Sequence, residues 1–385
     1  MNYVFISPYF PDNFMYFCQR LKASGVNVLG IGEEDFEALH PELKTALTEY
    51  YKVHSMEDYE EMLRACGYFT HKYGKISRLE SHNEHWLEQD AHLRTDFNIP
   101  GYNIDTVKTI KFKSRMKETF IKAGVPVAKG KLFDTLSDAE SFIEENGYPV
   151  CVKPDKGVGA TDTFKINNHQ ELELFFRFKK PISYIIEEWV EGNIVSFDGI
   201  TDQDGKIIFY GSFMMDTGVM DIVNNDLDVF YCVTRIPPKN LVDIGKKTVK
   251  EFNLKERFFH IEYFLQDDGN IVALEVNARP PGGLTVDMYN YACELDLYDI
   301  YARMIAGLPC QAETSRPYFA AYAGRKTRKG YLHSIDEVIR NYRHLIAYHG
   351  PISSIFAQAI GDYGFVLKAT EMKEIREATS FIFDK

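Results

Sequence analysis

The sequence predicts a mixed α/β (α+β) protein with a Rossmann-like first domain, a central part built on a β-hairpin, and a C-terminal α+β segment. Three observations predict this fold class: a strand, helix, strand rhythm at the start, an alternating hairpin pattern over residues 258–283, and strands alternating with helices after residue 317. At 385 residues the chain is too long for one ordinary core, so we expect roughly two to three domains.

Composition narrows the class of protein. A formal net charge of -12 argues against nonspecific nucleic-acid binding, and six scattered cysteines without a C-x-x-C pair are typical of reduced thiols in a cytoplasmic protein. Residues 1–10 are apolar but lack a basic n-region, and the longest uncharged run, residues 344–361, contains proline, glycine and histidine. We therefore expect neither a signal peptide nor a membrane span.

The first domain is predicted from two buried-type strands, residues 3–7 and 26–31, on either side of a helix at residues 14–23. No G-x-G-x-x-G motif follows the first strand, so the dinucleotide fingerprint is missing. We expect this parallel sheet to be a scaffold or a substrate platform.

A long amphipathic helix is predicted over residues 79–97, and the Ile-Pro-Gly break at residues 99–101 ends the domain. The helix contains His82, His85 and His92. Their spacing is a weak zinc signal without a third soft ligand nearby, and we interpret them as ordinary helix-surface histidines.

Two stretches of the next domain suit a bound phosphate. Residues 107–123 form a basic helix, which is either a solvated face or a surface from which Lys113 reaches a nucleotide phosphate. A buried strand over residues 148–154 carries Lys153 and leads into the glycine-rich turn at residues 157–161, whose backbone N–H groups can fold over phosphates. The turn matches neither a Walker loop nor a Rossmann turn, and a plain hairpin turn is the alternative.

Residues 184–190 predict a strand that leads into a linker. Extended backbone there, with the Glu187 carboxylate, can face an adenine edge between apolar walls. Residues 194–201 and 206–215 predict a second hairpin, across a turn rich in aspartate. A calcium loop is excluded there because Ile200 falls at the first ligand position.

The central hairpin has a polar face and an apolar face. The Asp268-Gly269 dipeptide favours a two-residue turn with Asp267 opposite Asn270. Counting outward from that turn gives two facing polar pairs, Glu262 with Glu275 and His260 with Asn277. The other face then carries the apolar residues Ile261, Tyr263, Leu265, Val272, Leu274 and Val276.

The polar face predicts a metal site. Two facing carboxylates on a buried sheet are destabilising without a compensating cation. Glu262, Glu275 and Asn277 are hard oxygen ligands in a number that suits Mg²⁺. Arg279, two residues further on, can bind a phosphate or carboxylate bidentately. The alternative is a solvated hairpin face whose acids pair with Arg279.

The remaining segments alternate between helices and strands. Helices are predicted at residues 242–252, 285–294, 297–306, 335–343 and 373–381, and strands at 318–324, 352–359 and 364–369. The basic cluster at residues 325–329 is either a solvated loop or a cover over an anionic ligand.

Taken in this order, Lys113, Lys153, the glycine-rich turn, the Glu187 segment and the acidic hairpin resemble the ATP-grasp superfamily. The resemblance is to carboxylate-amine ligases related to the carbamoyl-phosphate synthase large chain and biotin carboxylase. It spans roughly residues 80–310, and E-V-N-A-R-P-P-G-G is its most specific part. It implies a pre-ATP-grasp domain at 1–105, a lid subdomain at 106–191, a metal- and phosphate-binding subdomain at 192–310, and a C-terminal α+β segment at 311–385.

The resemblance also implies roles for individual residues. ATP phosphates would contact Lys113 and Lys153 under a flap that contains Gly157, Gly159 and Thr161. The adenine would meet Glu187, Glu188 and Val190. One or two Mg²⁺ ions, or Mn²⁺, would bind Glu262, Glu275 and Asn277. The catalytic residues would be Arg279, which stabilises the transferring phosphate, and Lys153.

Two positions depart from the family pattern. Ile194 stands where a ribose-binding carboxylate is common, and Glu191 or Asp198 is the expected substitute. The flap has Ala160 and Thr161 where serine and glycine are common.

The implied function is ATP-dependent ligation, in which a small carboxylate is activated as an acyl phosphate and attacked by an amine. Two alternatives stay open: phosphate transfer to a small molecule without ligation, and a catalytically inactive ATP-binding regulatory protein. The expected partners are the small carboxylate and amine, with no nucleic acid and no membrane, and a homodimer is a superfamily expectation. The sequence does not identify either substrate.

Overall fold

Three β-sheets organise the protein in a computed structural model that describes residues 1–157, 162–216, 218, 222, 225–312 and 315–385. The first sheet is parallel, with strand order β3-β2-β1-β4. Its strands are β1 (Asn2–Ile6), β2 (Asn27–Gly32), β3 (Glu49–Lys52) and β4 (Arg78–Glu80). Helices α1 (Met15–Ala23), α2 (Pro41–Ala46) and α3 (Tyr59–Tyr73) connect them. The predicted Rossmann-like topology is confirmed.

The predicted helix over residues 79–97 is wrong in its first half. Residues 78–80 form β4, because they pair with β1 and complete the parallel sheet, and helix α4 covers only Leu87–Asp96. His82 precedes that helix, is buried, and stacks on Phe17 with ring centroids 4.6 Å apart. His85 is exposed beside Glu57. The described part of the chain holds no group of three or more metal-ligating His, Cys, Asp or Glu side chains.

The basic segment is two helices, not one. Helix α5 (Lys108–Lys111) and helix α6 (Lys113–Lys122) are separated by Phe112, whose extended backbone bridges to Lys156. Asp155 accepts hydrogen bonds from the N–H (2.7 Å) and hydroxyl (3.0 Å) of Ser114 at the start of α6. Lys113 is therefore fixed at a buried helix start rather than on a solvated face.

The second sheet is small and antiparallel, with order β5-β8-β6-β7. Its strands are β5 (Gly130–Phe133), β6 (Val150–Pro154), β7 (Phe164–Ile166) and β8 (Tyr184–Glu188), covered by helices α7 (Leu136–Asn146) and α8 (His169–Phe178). The predicted strands around Lys153 and Glu187 are confirmed. Cys151 lies opposite Glu187 in this ladder, so the two predicted site residues sit on adjacent strands.

The third sheet is the largest and runs in the order β14-β13-β9-β11-β12-β15-β17-β16, with β10 paired to β9. Its strands are β9 (Asn193–Thr201), β10 (Ile207–Gly211), β11 (Phe213–Met215), β12 (Val229–Val233), β13 (Arg257–Leu265), β14 (Ile271–Asn277), β15 (Phe319–Arg325), β16 (Ile346–Pro351) and β17 (Tyr363–Ala369). The predicted hairpin of residues 194–215 is confirmed, with a break at Ser212.

Six further helices lie between or after the strands of this sheet in the described part of the chain. They are α9 (Lys239–Glu251), α10 (Thr285–Cys293), α11 (Leu297–Ile305), α12 (Ile335–Tyr342), α13 (Ala357–Ile360) and α14 (Met372–Phe383). The strand predicted at residues 352–359 is wrong, because β16 lies earlier, where it pairs with β17, and α13 takes its place. The C-terminal strands join the central sheet through the β12–β15 pair. The domain boundaries at residues 105, 191 and 310 stay a prediction.

The basic cluster at residues 325–329 is only partly solvated, because Thr327 and Arg328 are exposed and its other three residues are not. Its role as a cover over an anionic ligand stays a prediction. Lys326 and Arg325 are almost completely buried. Lys326 pairs with Asp226 at 2.8 Å and Lys329 with Asp228 at 3.3 Å. Acidic side chains of the chain itself therefore neutralise the cluster. Across the described ranges, no helix has both the length and the apolar character needed to cross a membrane.

Candidate active site

The hairpin of β13 and β14 brings the predicted acids face to face. Glu262 pairs with Glu275 and His260 with Asn277, as the alternation predicts. The turn itself differs, because the Gln266 N–H donates to the Asn270 carbonyl at 2.9 Å and three residues, not two, connect the strands. The predicted pairing of Asp267 with Asn270 is wrong.

A bulge at Leu274 explains why the inner register is nevertheless correct. Glu262 faces Glu275 while Tyr263 faces Ala273, so one extra residue of β14 stands between the two pairs. That extra residue offsets the longer turn. The apolar face also differs from the prediction near the turn. Ile271 and Ala273 are buried in the core, whereas the predicted Val272 and Leu274 are only half-buried.

The two facing acids form a negative site in which Glu275 is buried and Glu262 is half-buried. Burial raises the pKa of Glu262, and the nearby Glu275 carboxylate raises it further against the opposing effects of His260 and Arg279. The Oε1 atom of Glu275 is buried without a well-oriented hydrogen bond, although Nζ of Lys113 lies 3.1 Å away. Asn277 is buried on the same strand. A buried carboxylate oxygen without a well-oriented hydrogen bond, within a set of hard oxygen donors, fits a divalent cation such as Mg²⁺.

Two lysines hold a second buried acid, Glu187. Its carboxylate lies 2.6 Å from Nζ of Lys153 and 2.7 Å from Nζ of Lys117. Burial disfavours each charged form, but the opposite charges outweigh it, so the pKa of Glu187 is lowered and that of Lys153 is raised. Together with Lys113 they place three ammonium groups near two buried carboxylates, an arrangement able to accept a polyanion.

Lys117 is a residue that sequence reasoning missed. It lies four positions after Lys113 in α6, so both side chains project from one face of that helix. The four-residue spacing from Lys113 was the signal in the sequence that could have indicated Lys117 as a second phosphate-binding candidate. Its ammonium also donates to the Ala128 carbonyl.

Part of the segment predicted to contact adenine already forms hydrogen bonds within the protein. Glu188 accepts a hydrogen bond from the Lys129 N–H at 2.8 Å and donates its own N–H to the Lys129 carbonyl at 2.9 Å. Val190 is half-buried at the linker. In the flap, Gly157 is half-buried, while Gly159 and Thr161 lie outside the described residues.

Arg279 is held by a partner that the sequence did not predict. Its guanidinium pairs with Glu84 at 2.9 Å, not with the hairpin acids, and its other amino group donates to the Pro280 carbonyl. Lys111 donates to the Glu84 backbone carbonyl at 2.8 Å. Glu84 therefore orients the arginine just beyond the end of β14.

His260 lies behind the acids. Its Nδ1 is 2.7 Å from Asp198, and its Nε2 is 3.7 Å from Glu262. Asp198 is buried and also accepts hydrogen bonds from Ser196 and Tyr289. Asp198 is therefore not a substitute ribose ligand, whereas Glu191 is exposed at the linker.

Comparison with known proteins identifies the central part of the chain. Residues 146–287 match the sequence profile of the ATP-grasp domain. This segment is an ATP-grasp domain. It contains Lys153, Glu187, both facing acids and Arg279, so the predicted resemblance to the superfamily is confirmed.

Proteins with ligase or synthase names match about half of this chain. The carbamoyl phosphate synthase arginine-specific large chain of Bacillus subtilis is 22% identical over 57% of this chain, which covers 21% of that protein. The L-arginine-specific L-amino acid ligase of Bacillus subtilis is 24% identical over 55% of this chain and 53% of the relative. The chain thus spans about a fifth of the first relative and about half of the second.

Solved structures share the whole fold. The L-amino acid ligase of Bacillus licheniformis superimposes with a TM-score of 0.76 at 16% identity, over 98% of this chain and 95% of that one. The N5-carboxyaminoimidazole synthetase of Staphylococcus aureus complexed with ADP gives 0.75 at 15% identity, over 100% and 97% of the two chains. The ATP-grasp fold therefore extends beyond the matched domain to both ends of the chain.

Proposed function

We propose that the protein is an ATP- and Mg²⁺-dependent ligase that activates a small carboxylate as an acyl phosphate and joins it to an amine. The observation that carries the proposal is the facing pair of acids, Glu262 and Glu275, with the Lys113 ammonium 3.1 Å from Glu275 and the Lys117 and Lys153 ammonium groups at Glu187. The names of the relatives, which are C–N ligases and carbamoyl phosphate synthases, support the reaction class.

The lysines supply the site for the triphosphate. Lys113, Lys117 and Lys153 now pair with buried carboxylates of the chain, and phosphate oxygens offer them the same kind of charged acceptor. Because the pKa of Lys153 is raised, its ammonium stays charged at neutral pH. When no phosphate is bound, Glu187 holds Lys117 and Lys153 in place, and Glu275 holds Lys113.

The acids on the hairpin supply the metal site. Glu262, Glu275 and Asn277 would hold Mg²⁺, which when bound neutralises phosphate charge and orients the γ-phosphate. His260, charged and held by Asp198, offsets part of the negative charge of Glu262 from behind. Arg279, aligned by Glu84, is positioned to stabilise the charge on the transferring phosphate.

The chemistry needs no side-chain nucleophile. A substrate carboxylate oxygen attacks the γ-phosphorus, the bond to the bridging oxygen breaks, and ADP leaves with that electron pair. The amine then attacks the acyl carbon, and phosphate leaves from the tetrahedral intermediate. The protein contributes positioning and electrostatic stabilisation.

Product analysis tests the proposal. Purified protein with ATP, Mg²⁺ and paired pools of carboxylates and amines should release ADP and inorganic phosphate in equal amounts, and hydroxylamine should trap the acyl phosphate as a hydroxamate. ADP with a stable phosphorylated product, independent of amine, would instead identify a phosphotransferase. No turnover with any pair would identify a regulatory ATP-binding protein.

A further inference from the structure

A pocket lies where the segment that follows β14 meets one segment near the start of the chain and one from its C-terminal part. It has a volume of about 150 Å³, below the ~300–1,000 Å³ of pockets that enclose drug-sized ligands, so it suits one small chemical group. Residues 11–16, 283–291 and 348–360 line it. Gly283 in its wall lies four residues beyond Arg279. The loop that follows β14 therefore runs directly into the pocket.

The charged group inside this pocket is Asp287, on the first turn of α10, while Asp12 lies at its exposed rim. Its carboxylate accepts hydrogen bonds from the side-chain amide of Asn13 at 3.0 Å and the hydroxyl of Tyr298 at 3.1 Å. Both donors are neutral, and among the described residues no Lys, Arg or His forms an ion pair with Asp287. A partly buried carboxylate without a cation leaves negative charge facing the pocket.

Aromatic side chains surround that charge. Tyr16, Tyr291 and Tyr348 line the pocket, the first two partly buried and Tyr348 exposed. Burial raises the pKa of Tyr16 and Tyr291, with the Asp287 carboxylate as the next cause, which places both hydroxyls in its negative field. Asp12 adds a second carboxylate at the exposed rim. Tyrosine faces and a carboxylate together form the lining that attracts organic cations.

We propose that this pocket binds a positively charged aliphatic group, an alkylammonium or guanidinium, on one of the two substrates, with Asp287 as its counter-ion. The inference rests on the proposed ligase function for the reaction that the bound molecule then undergoes. It narrows the substrate class to small molecules that carry a cationic side chain beside the reacting carboxylate or amine.

A purely structural role for Asp287 makes a different prediction. As a link between Asn13 and Tyr298 it would connect the first domain to helices α10 and α11 without any ligand. That role requires only hydrogen-bond acceptors, which asparagine also provides. Ligand charge preference therefore separates the two roles.

Calorimetric titration tests the pocket with a matched pair of probes, L-lysine and L-norleucine, which differ by the terminal ammonium. In the presence of Mg²⁺ and a non-hydrolysable ATP analogue, the full chain should bind L-lysine about tenfold more tightly. Asp287→Asn should abolish that preference, and Tyr348→Leu should weaken lysine binding about threefold. Asp243→Asn, an exposed residue of α9, is the control and should change neither affinity.

Blocked probes show which end reacts. With a pool of carboxylates, L-lysine methyl ester can react only as the amine. With a pool of amines, Nα-acetyl-L-lysine offers its carboxylate while its ε-ammonium occupies the pocket. One of these two mixtures should support ADP release. Equal binding of lysine and norleucine, no binding of either, or a preference that persists in folded Asp287→Asn would overturn the pocket assignment. If Asp287→Asn does not fold, the wild-type probe pair and Tyr348→Leu decide the matter.

The same measurements separate this inference from the proposed function. ADP release that shows no preference for cationic substrates would refute the pocket assignment and leave the ligase proposal intact. A clear lysine preference without ADP release from any substrate pair would support the pocket and refute the ligase proposal.

Discussion

His260 is set between two carboxylates, with Asp198 at one ring nitrogen and Glu262 near the other. Burial disfavours the charged imidazole, but the Asp198 carboxylate outweighs burial and raises the pKa of His260. Ser196 and Tyr289 fix Asp198 in turn. His260 is therefore part of the charge balance of the proposed metal site.

This charge balance makes stability depend on pH. Because the folded-state pKa of His260 is raised, its stabilising contribution is fully present below the ordinary histidine pKa of ~6.5 and is lost as pH rises through the higher folded value. We expect His260→Gln to lower the free energy of unfolding more at about pH 6 than at about pH 9. Urea unfolding with a chelator present measures both, and an equal loss at the two pH values would contradict the assignment.

Single residues also mark the limit of sequence reasoning. The facing acids follow from alternation and a turn signal, which are local. Glu84 meets Arg279 across 195 positions, and no local pattern indicates that contact. Lys117 meets Glu187 only because α6 and the second sheet pack together. Such partners are set by tertiary structure.

The prediction of the central hairpin contains two local errors whose effects on the register cancel. The sequence predicts a two-residue turn, but the chain uses three residues and adds a bulge at Leu274. Each change shifts the register by one residue, in opposite directions, so Glu262 still faces Glu275. The core-facing residues near the turn do change, because Ile271 and Ala273 lie on the shifted part of the ladder.

The turn depends on Gly269, whose φ of +83° lies in the left-handed region while the space around it is open. Gly269→Ala should therefore destabilise the protein by about 1 kcal/mol through backbone strain alone. Gly67 in helix α3 also has open space but no positive φ, and Gly67→Ala should stabilise by about 0.5–1 kcal/mol. Thermal unfolding of both variants measures the contrast, and a shift of the same sign in both would refute it.

Buried ion pairs join the first sheet to the central hairpin. Glu80 at the end of β4 lies 2.8 Å from Arg94 and 2.8 Å from Arg257, the first residue of β13. Arg78 pairs with Glu256 at 2.6 Å nearby. The sequence does not predict this junction, because its pattern places Glu80 on a helix over residues 79–97 instead of at a sheet edge.

Removing Glu80 tests the junction. Glu80→Gln leaves two buried guanidinium groups without their shared carboxylate and should cost about 3 kcal/mol of unfolding free energy. Glu118→Gln, which removes an exposed partner of Arg115, is the matched control and should cost about 0.5 kcal/mol or less. Comparable losses in the two variants by chemical denaturation would show that the junction does not hold the parts together.

Across the whole molecule, the sequence indicates the topology better than the contacts between its parts. Parallel β1 and β2, the strand that carries Lys153 and the acidic hairpin follow from local patterns, and all are present. Strand β12 and the extension of the central sheet by β15 and β17 were not predicted, since their partners are remote in sequence. The Asp287 pocket is likewise formed only when three distant segments meet.

Metal-dependent nucleotide binding tests the central claim most directly. Calorimetry should show that Mg²⁺ strengthens binding of a non-hydrolysable ATP analogue to the wild-type protein and to the exposed control Glu251→Gln. Glu262→Gln and Glu275→Gln should each lose that strengthening while remaining folded, because they remove ligands of the proposed site. An unchanged Mg²⁺ effect in both hairpin variants would contradict a metal site between the facing acids.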